Sequence, residues 1–196
     1  MIGEAMNIAR PLVAAAGLLA AAHGASAQPA TYVVDPSHTK VYWETRHFGT
    51  STHRGRFDSV EGSIALDRES GRGDVSISIA VASISSGVPA LDKVLRGAGF
   101  LAAEAHPTAY FTARQVRFDG ARLSELRGEF TLRGVSQPLS LRSERFACRT
   151  DLPLQREVCG GDFEAEILRS DFGSTFGLPF VGDKVRLLIA VEGVRQ

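Results

Sequence analysis

From residue 75 to 81 the chain reads VSISIAV, with Val75, Ile77, Ile79 and Val81 in one phase and Ser76, Ser78 and Ala80 in the other. Side chains of a strand point alternately to opposite faces, so this spacing makes an apolar face only on extended backbone. VRLLIAV repeats the pattern with Val185, Leu187, Ile189 and Val191, and GEFTLRG sets Phe130 and Leu132 against Glu129, Thr131 and Arg133. Similar runs occupy 40–48, 54–66, 107–118, 138–147 and 162–169, separated by Gly, Asp, Ser and Pro. About eight short strands with turn residues between them predict an all-β, antiparallel sandwich or barrel.

One segment departs from this period. In VPALDKVLRGAGFLAAEAHP, Leu91, Val94, Leu95, Phe100 and Leu101 recur at helical spacing, Pro89 suits a helix start and Pro107 stops continuation. Gly97 and Gly99 weaken its middle, which predicts one or two short helices near residues 88–105. Elsewhere, SISIAVAS and TAYFTA alternate apolar residues with small neutral ones rather than with Lys and Glu. That suits a barrel whose inner face lines a cavity, although a partly buried sheet in a sandwich has the same pattern.

The first 27 residues are expected to be a cleaved leader. PLVAAAGLLAAAHGASA is a short apolar run ending in Ala25-Ser26-Ala27, the small-x-small form of a signal-peptidase site, which makes Gln28 the mature N-terminus. The run is too short and interrupted for a retained membrane span. Residues 28–196 then form one domain, exported to the periplasm or secreted, with no stable membrane insertion. The 22 Lys and Arg balance 22 Asp and Glu, which argues against nucleic acid or an anionic membrane as partner. Cys148 and Cys159 are the only cysteines, and in an exported chain such a pair reads as a disulfide. Closing a loop of this size is worth about 3 kcal/mol in the chain-entropy model.

The stretch RHFGTSTHRGRF, residues 46–57, concentrates the side chains that could carry chemistry. His38, His47 and His53 lie nine and six residues apart, wider than common zinc spacings, and no Asp, Glu or Cys completes a set. No G-x-S-x-G nucleophile elbow occurs, and no pair of carboxylates suggests glycoside chemistry. Strand parity says more. In KVYWETRHF, Val41, Trp43, Thr45 and His47 share one face and Tyr42, Glu44, Arg46 and Phe48 the other. The first, less charged set is expected to point inward, with His47 ending an apolar column and either contacting a ligand's polar end or bonding backbone at a turn. Gly49 and Gly55 read as marks of a bend between two strands, and His53 is given no role.

DPSHTKVYWETRHFGTSTHRGRF, followed by FLAAEAHPTAYFTA, GEFTLRGVSQPLSL and RSDFGSTFGLPFVGDKVRL, resembles the signature series of the YceI-like family over about residues 31–194. The resemblance implies a lipocalin-like β-barrel of exported bacterial proteins with an elongated apolar cavity for polyisoprenoid or other long-chain amphiphiles, quinone-like molecules included. His38, His47, Gly49, Ser51, Gly55 and Phe57 match its first motif; Pro107, Phe111, Gly128, Arg169, Asp171 and Phe172 are among the matches to later ones. Members often carry an Arg-Asp-x-His-Leu string in the helical segment. Here LDKVL, Leu91–Leu95, keeps only Asp92 and Leu95.

The resulting expectation is a non-enzymatic carrier or storage protein that sequesters a lipid tail, at about 25 cal/mol per Å² of apolar surface. Trp43, Phe57, Phe100, Tyr110, Phe111, Phe172, Phe176 and Phe180 are the expected lining, and His47, Ser51 and Arg169 the expected head-group contacts. No cofactor or metal is expected, and the oligomeric state is open, a homodimer included. A lipid- or quinone-modifying enzyme using His38 and His47 as acid–base groups is the rival reading, and an interaction module with a filled interior is a third.

Overall fold

The computed structural model describes residues 29–67, 70–120 and 122–196, so the leader expected over 1–27 lies outside the described residues. Eleven strands are described. They are β1 (Ala30–Val34), β2 (Lys40–His47), β3 (Ser51–Phe57), β4 (Val60–Asp67), β5 (Arg72–Ala80) and β6 (Ile84–Ser85), then β7 (Thr108–Asp119), β8 (Arg122–Leu132), β9 (Val135–Asp151), β10 (Arg156–Leu168) and β11 (Val181–Arg195). Eight of them close an antiparallel ring in the order β1-β4-β5-β7-β8-β9-β10-β11. The expected eight-stranded barrel is therefore present, and β2, β3 and β6 form an additional strip beside it.

The strip exists because β11 offers one edge to two strands. Gly193–Arg195 pair with Val34–Tyr32 of β1, whereas Val181–Ala190 pair with His47–Lys40 of β2. Between them Thr39, 1 % exposed, pegs the crossover: its Oγ1 accepts from the Glu192 amide at 3.2 Å and donates to the Glu192 carbonyl at 3.4 Å. The same exchange of neighbours explains why the run at 54–66 is two strands. Residues up to Phe57 pair with β2 and β6, while Val60 onward pairs with β1 and β5, so the chain must break at Asp58-Ser59.

Parity separates the two faces as the sequence suggests. Val75, Ile79, Phe111, Leu126, Phe163 and Leu187 are buried within the ring. The outer face of β5 carries small, neutral Ser76, Ser78 and Ala80 beyond Asp74, but that of β2, β3, β10 and β11 carries cross-strand ion pairs: Arg54–Glu44 at 2.7 Å, Arg186–Glu164 at 2.6 Å and Lys184–Glu166 at 2.9 Å. Cys148 and Cys159 are direct partners in the β9–β10 ladder and are joined by a disulfide.

One end of the barrel, here the upper end, is closed by irregular chain. A single α-helix is described, α1 (Pro89–Arg96), with Pro in its first turn. Its buried Asp92 accepts from the Ser86 amide at 2.7 Å and hydroxyl at 2.6 Å. Residues 97–107 continue as loop, folded back by amides of Leu101 and Ala103 on carbonyls of Leu95 and Arg96. Two arginines hold this end together. Arg133 donates to the carbonyls of Ala98, Phe100 and Phe172, at 2.9, 2.6 and 3.1 Å. Arg169, 6 % exposed, donates to those of Ser174, Val181 and Gly182 at 2.7, 2.9 and 2.9 Å.

Outside the barrel, in the β1–β2 loop, His38 Nδ1 lies 2.7 Å from an Asp35 carboxylate oxygen. Hydrogen bonds from Ser37 and then His38 hold the Asp35 carboxyl down at about 2, and its bond to Asp35 raises the His38 pKa above its usual 6.5. The carboxylate's contribution to stability is present above the ordinary carboxylate range and lost as pH falls toward about 2. The imidazolium's is present below pH 6.5 and lost as pH rises through the elevated value. The pair therefore contributes most between those limits.

Two outcomes follow. Arg169→Met removes three hydrogen bonds from a buried site, leaving the Gly182 carbonyl only its bond from Thr45, and is expected to cost about 3 kcal/mol in urea unfolding, with Arg169→Lys recovering part; a loss below about 1 kcal/mol contradicts the clamp. The His38 ring signals, followed by NMR, should titrate above 6.5 in the parent protein and return to about 6.5 in Asp35→Asn. An unchanged midpoint in that variant contradicts the pairing.

Candidate functional site: an apolar cavity inside the barrel

An eight-stranded barrel encloses just enough space for its own inward side chains or one slender ligand. Inside this ring lies a cavity of about 100 Å³, walled by residues such as Val41, Val75, Phe111, Leu126, Phe163 and Leu187. Two lining side chains carry hydroxyls, and both are engaged: Tyr32 donates to Glu157, and Thr39 is spent on Glu192. No charged side chain lines the cavity. Such a wall can exclude water and hold hydrocarbon.

Along β2 the inner face changes from apolar to polar. Val41 lines the cavity, Trp43 follows, and Thr45 donates its hydroxyl toward the carbonyls of Gly182 and Lys184. Trp43 is 7 % exposed and sits opposite Gly55 of β3. A Cβ built on Gly55 would fall 2.5 Å from Cζ2 and 2.7 Å from Cε2 of the indole. Gly55 is thus no bend residue: it stands within β3 because the indole occupies its side-chain space. Gly49 does belong to the turn, with φ +69°.

At the top of β2 two histidines meet. His47 stacks on His53 with ring centroids 4.0 Å apart and planes 18° from parallel. Phe48 packs edge-on against His47, and stacks on Phe180 at 5.6 Å. The register accounts for this. Ser51 pairs with His47 and His53 with Thr45, so His53 lies diagonal to His47 on the same face. Sequence reasoning left His53 without a role because the length of the turn sets that register.

The other expected lining residues are dispersed. Phe111 lines the cavity. Phe172 is buried and packs edge-on against Phe130 at 5.6 Å, above the cavity. Phe57 is half-buried, and half-buried Phe100 lies beneath the Arg169 guanidinium at 5.6 Å and against Phe176. Tyr110 points out of the barrel, 49 % exposed, since its neighbour Phe111 takes the inward position and consecutive strand residues cannot share a face. Phe176 and Phe180 are exposed on the chain between the Arg169 turn and β11, which has no strand parity to turn them inward. Of the expected head-group contacts, Ser51 is exposed and Arg169 spends its guanidinium on three carbonyls, while His47 remains half-buried at the upper end.

His38 and His47 do not form one acid–base site. They stand at opposite ends of β2, roughly 25 Å apart along an eight-residue strand, with His38 on the outer loop. The one group of three metal-type ligands among the described residues, Cys148, Glu157 and Cys159, has its two sulfurs bonded to each other.

The fold and cavity can be set beside known proteins. A UPF0312 protein of Pectobacterium atrosepticum is 33% identical over 183 residues, spanning 93% of this chain and 94% of its own. One from Azotobacter vinelandii is 32% identical over 173 residues, covering 87% of this chain and 90% of its own. Among solved structures, Burkholderia cenocepacia BcnA superposes with a TM-score of 0.64 at 18% identity, over 81% of this chain and 98% of that one. A polyisoprenoid binding domain from Saccharophagus degradans, implicated in plant cell wall breakdown, gives 0.64 at 14% identity, over 84% and 98%. At these identities the structural likeness concerns the fold. The family model described as the YceI-like domain matches residues 32–193, and the chain belongs to the YceI-like family.

Proposed function

We propose that this protein is an exported carrier or storage protein for a long-chain amphiphile, an isoprenoid, isoprenoid quinone or fatty-acid derivative, held with its tail in the barrel. The observation that carries the reading is the cavity itself, a space inside a closed ring whose lining has no charge and no free hydroxyl. The likeness to a polyisoprenoid binding domain supports a lipid-like ligand. The disulfide between Cys148 and Cys159 suits an oxidising compartment, and no helix among the described residues is long and apolar enough to cross a membrane.

The small cavity volume favours a slender ligand. A cavity of about 100 Å³ admits a linear or methyl-branched chain with modest rotamer shifts of Leu, Ile and Phe. Bulky ring systems, which ordinarily need pockets of roughly 300–1,000 Å³, do not fit its middle. In this reading the tail occupies the cavity and His47 stands at the polar, upper end. The rival acid–base pairing of His38 with His47 is disfavoured, because the two are separated by the length of β2.

Titration with a fluorescent polyene fatty acid tests the carrier function. The parent protein should bind it at micromolar or better concentration. Ile77→Phe and Leu139→Phe, which each add a ring to the cavity wall, should weaken binding at least tenfold at a folding cost of about 1–3 kcal/mol. His47→Ala should change tail affinity by less than about threefold, whereas an acid–base enzyme would lose turnover by orders of magnitude. Equal binding by the parent and both filled variants would contradict a tail inside the barrel.

A further inference from the structure

The ring is zipped unevenly. The β9–β10 ladder runs from Asp151 opposite Arg156 up to Arg142 opposite Glu164, and stops there. Above that point Val135–Leu141 pair with β8 and Ala165–Leu168 with β11, so among the described residues two strand edges adjoin without a ladder. Continued in the same register, the ladder would set Ile167 opposite Leu139 and Leu168 opposite Pro138. Proline has no N–H to give such a neighbour, and in sheets it belongs at an open edge. The turn Arg169–Phe172 stands at the gap instead, where Gln137 Nε2 donates to the Asp171 carbonyl at 3.4 Å. The wall also parts above the β1–β4 pairing, but there the inward Val60 is 1 % exposed. At the β9–β10 seam the seal is looser, with Leu139 and Ile167 only half-buried.

A groove of about 300 Å³ follows this seam on the outside. Leu139 lines both the groove and the barrel cavity, so the two spaces adjoin at its side chain. Phe172, also in the groove's lining, packs on Phe130 of the cavity wall at 5.6 Å. Volume makes the connection matter. An apolar cavity of roughly 150 Å³ takes up one benzene ring, so the 100 Å³ inside the barrel holds the leading segment of a long chain and not its whole length.

We infer that a single-chain amphiphile crosses the barrel wall at this seam, between Leu139 and Ile167, with its terminal segment in the cavity and its remaining length and polar end in the outer groove. The inference rests on the carrier reading and assigns the ligand a second subsite and a route. The groove suits the part of a ligand nearer water. Its floor is Leu139, Ile167 and Phe172, and its rim carries Gln137 and the Lys184–Glu166 ion pair at 2.9 Å. Passage here asks for side-chain rotation alone, because the ladder ends below it. Passage through a paired part of the wall breaks backbone hydrogen bonds, and the upper end is held by Arg133 and Arg169 on six carbonyls.

The test follows ¹H–¹⁵N spectra of the mature protein during titration with palmitate and, separately, with xenon, which probes the apolar cavity alone. Palmitate should move the amide signals of Gln137, Ile167 and Leu168 together with those of Val75 and Phe163 in the cavity region. Xenon should move the second set and leave the first in place. Ile167→Trp fills the groove. It should weaken palmitate binding at least about tenfold and leave xenon binding within about twofold. Palmitate shifts confined to the cavity set, with the seam signals still, would overturn the inference and leave the carrier reading intact. Palmitate bound by Ile167→Trp as tightly as by the parent would do the same. If the variant loses both probes its barrel is disturbed, and the map of the parent protein decides. A parent that takes up xenon but no palmitate overturns the inference and the carrier reading together.

Discussion

Everything else in this molecule depends on β11 lending a single edge to two strands. By pairing with β1 near its end it closes a ring of eight, and by pairing with β2 over the rest it recruits a further strip of the same sheet. Ring closure gives each of the eight strands a neighbour on both sides, so the sheet has no terminal edge strand there. It also sets the width. Eight strands leave an interior that side chains nearly fill, so whatever space remains is narrow and is walled by the inward half of each strand. A slender apolar cavity follows from strand count as much as from residue choice.

The recruited strip, β2-β3-β6, gives the barrel its polar features. It sets Trp43 opposite a glycine that makes room for the indole, and carries the stacked pair His47 and His53 to the upper end. That end is held by arginines acting on the backbone. Arg133 and Arg169 together engage six carbonyls, those of Ala98, Phe100, Phe172 and Ser174 between strands and those of Val181 and Gly182 at the start of β11. Charge in this protein is spent on architecture and on the outer face, and the interior is left without it.

The strands and their inward faces were legible because alternation is a local property, readable from VSISIAV or KVYWETRHF without knowing what lies alongside. The break at Asp58-Ser59 was not, because nothing in the 54–66 run announces a change of pairing partner. Tyr110 and Phe111 differ by parity alone: adjacent strand residues cannot both face inward, and the phenylalanine does. Phe176 and Phe180 lie outside any strand, where aromatic character alone says nothing about direction. The Arg169 clamp depends on carbonyls up to 13 residues away. His53 depends on the length of a turn. Local pattern gave the wall, while the polar groups on it had to await the register.

The central claim, that the barrel holds a lipid tail, is tested most directly by purifying the protein gently from the exported fraction of cells that make it, extracting with organic solvent and identifying what is released by mass spectrometry. The account predicts a long-chain amphiphile, near one molecule per chain and depleted in the Ile77→Phe variant. Lipid-free preparations that also take up no isoprenoid or fatty amphiphile would contradict it.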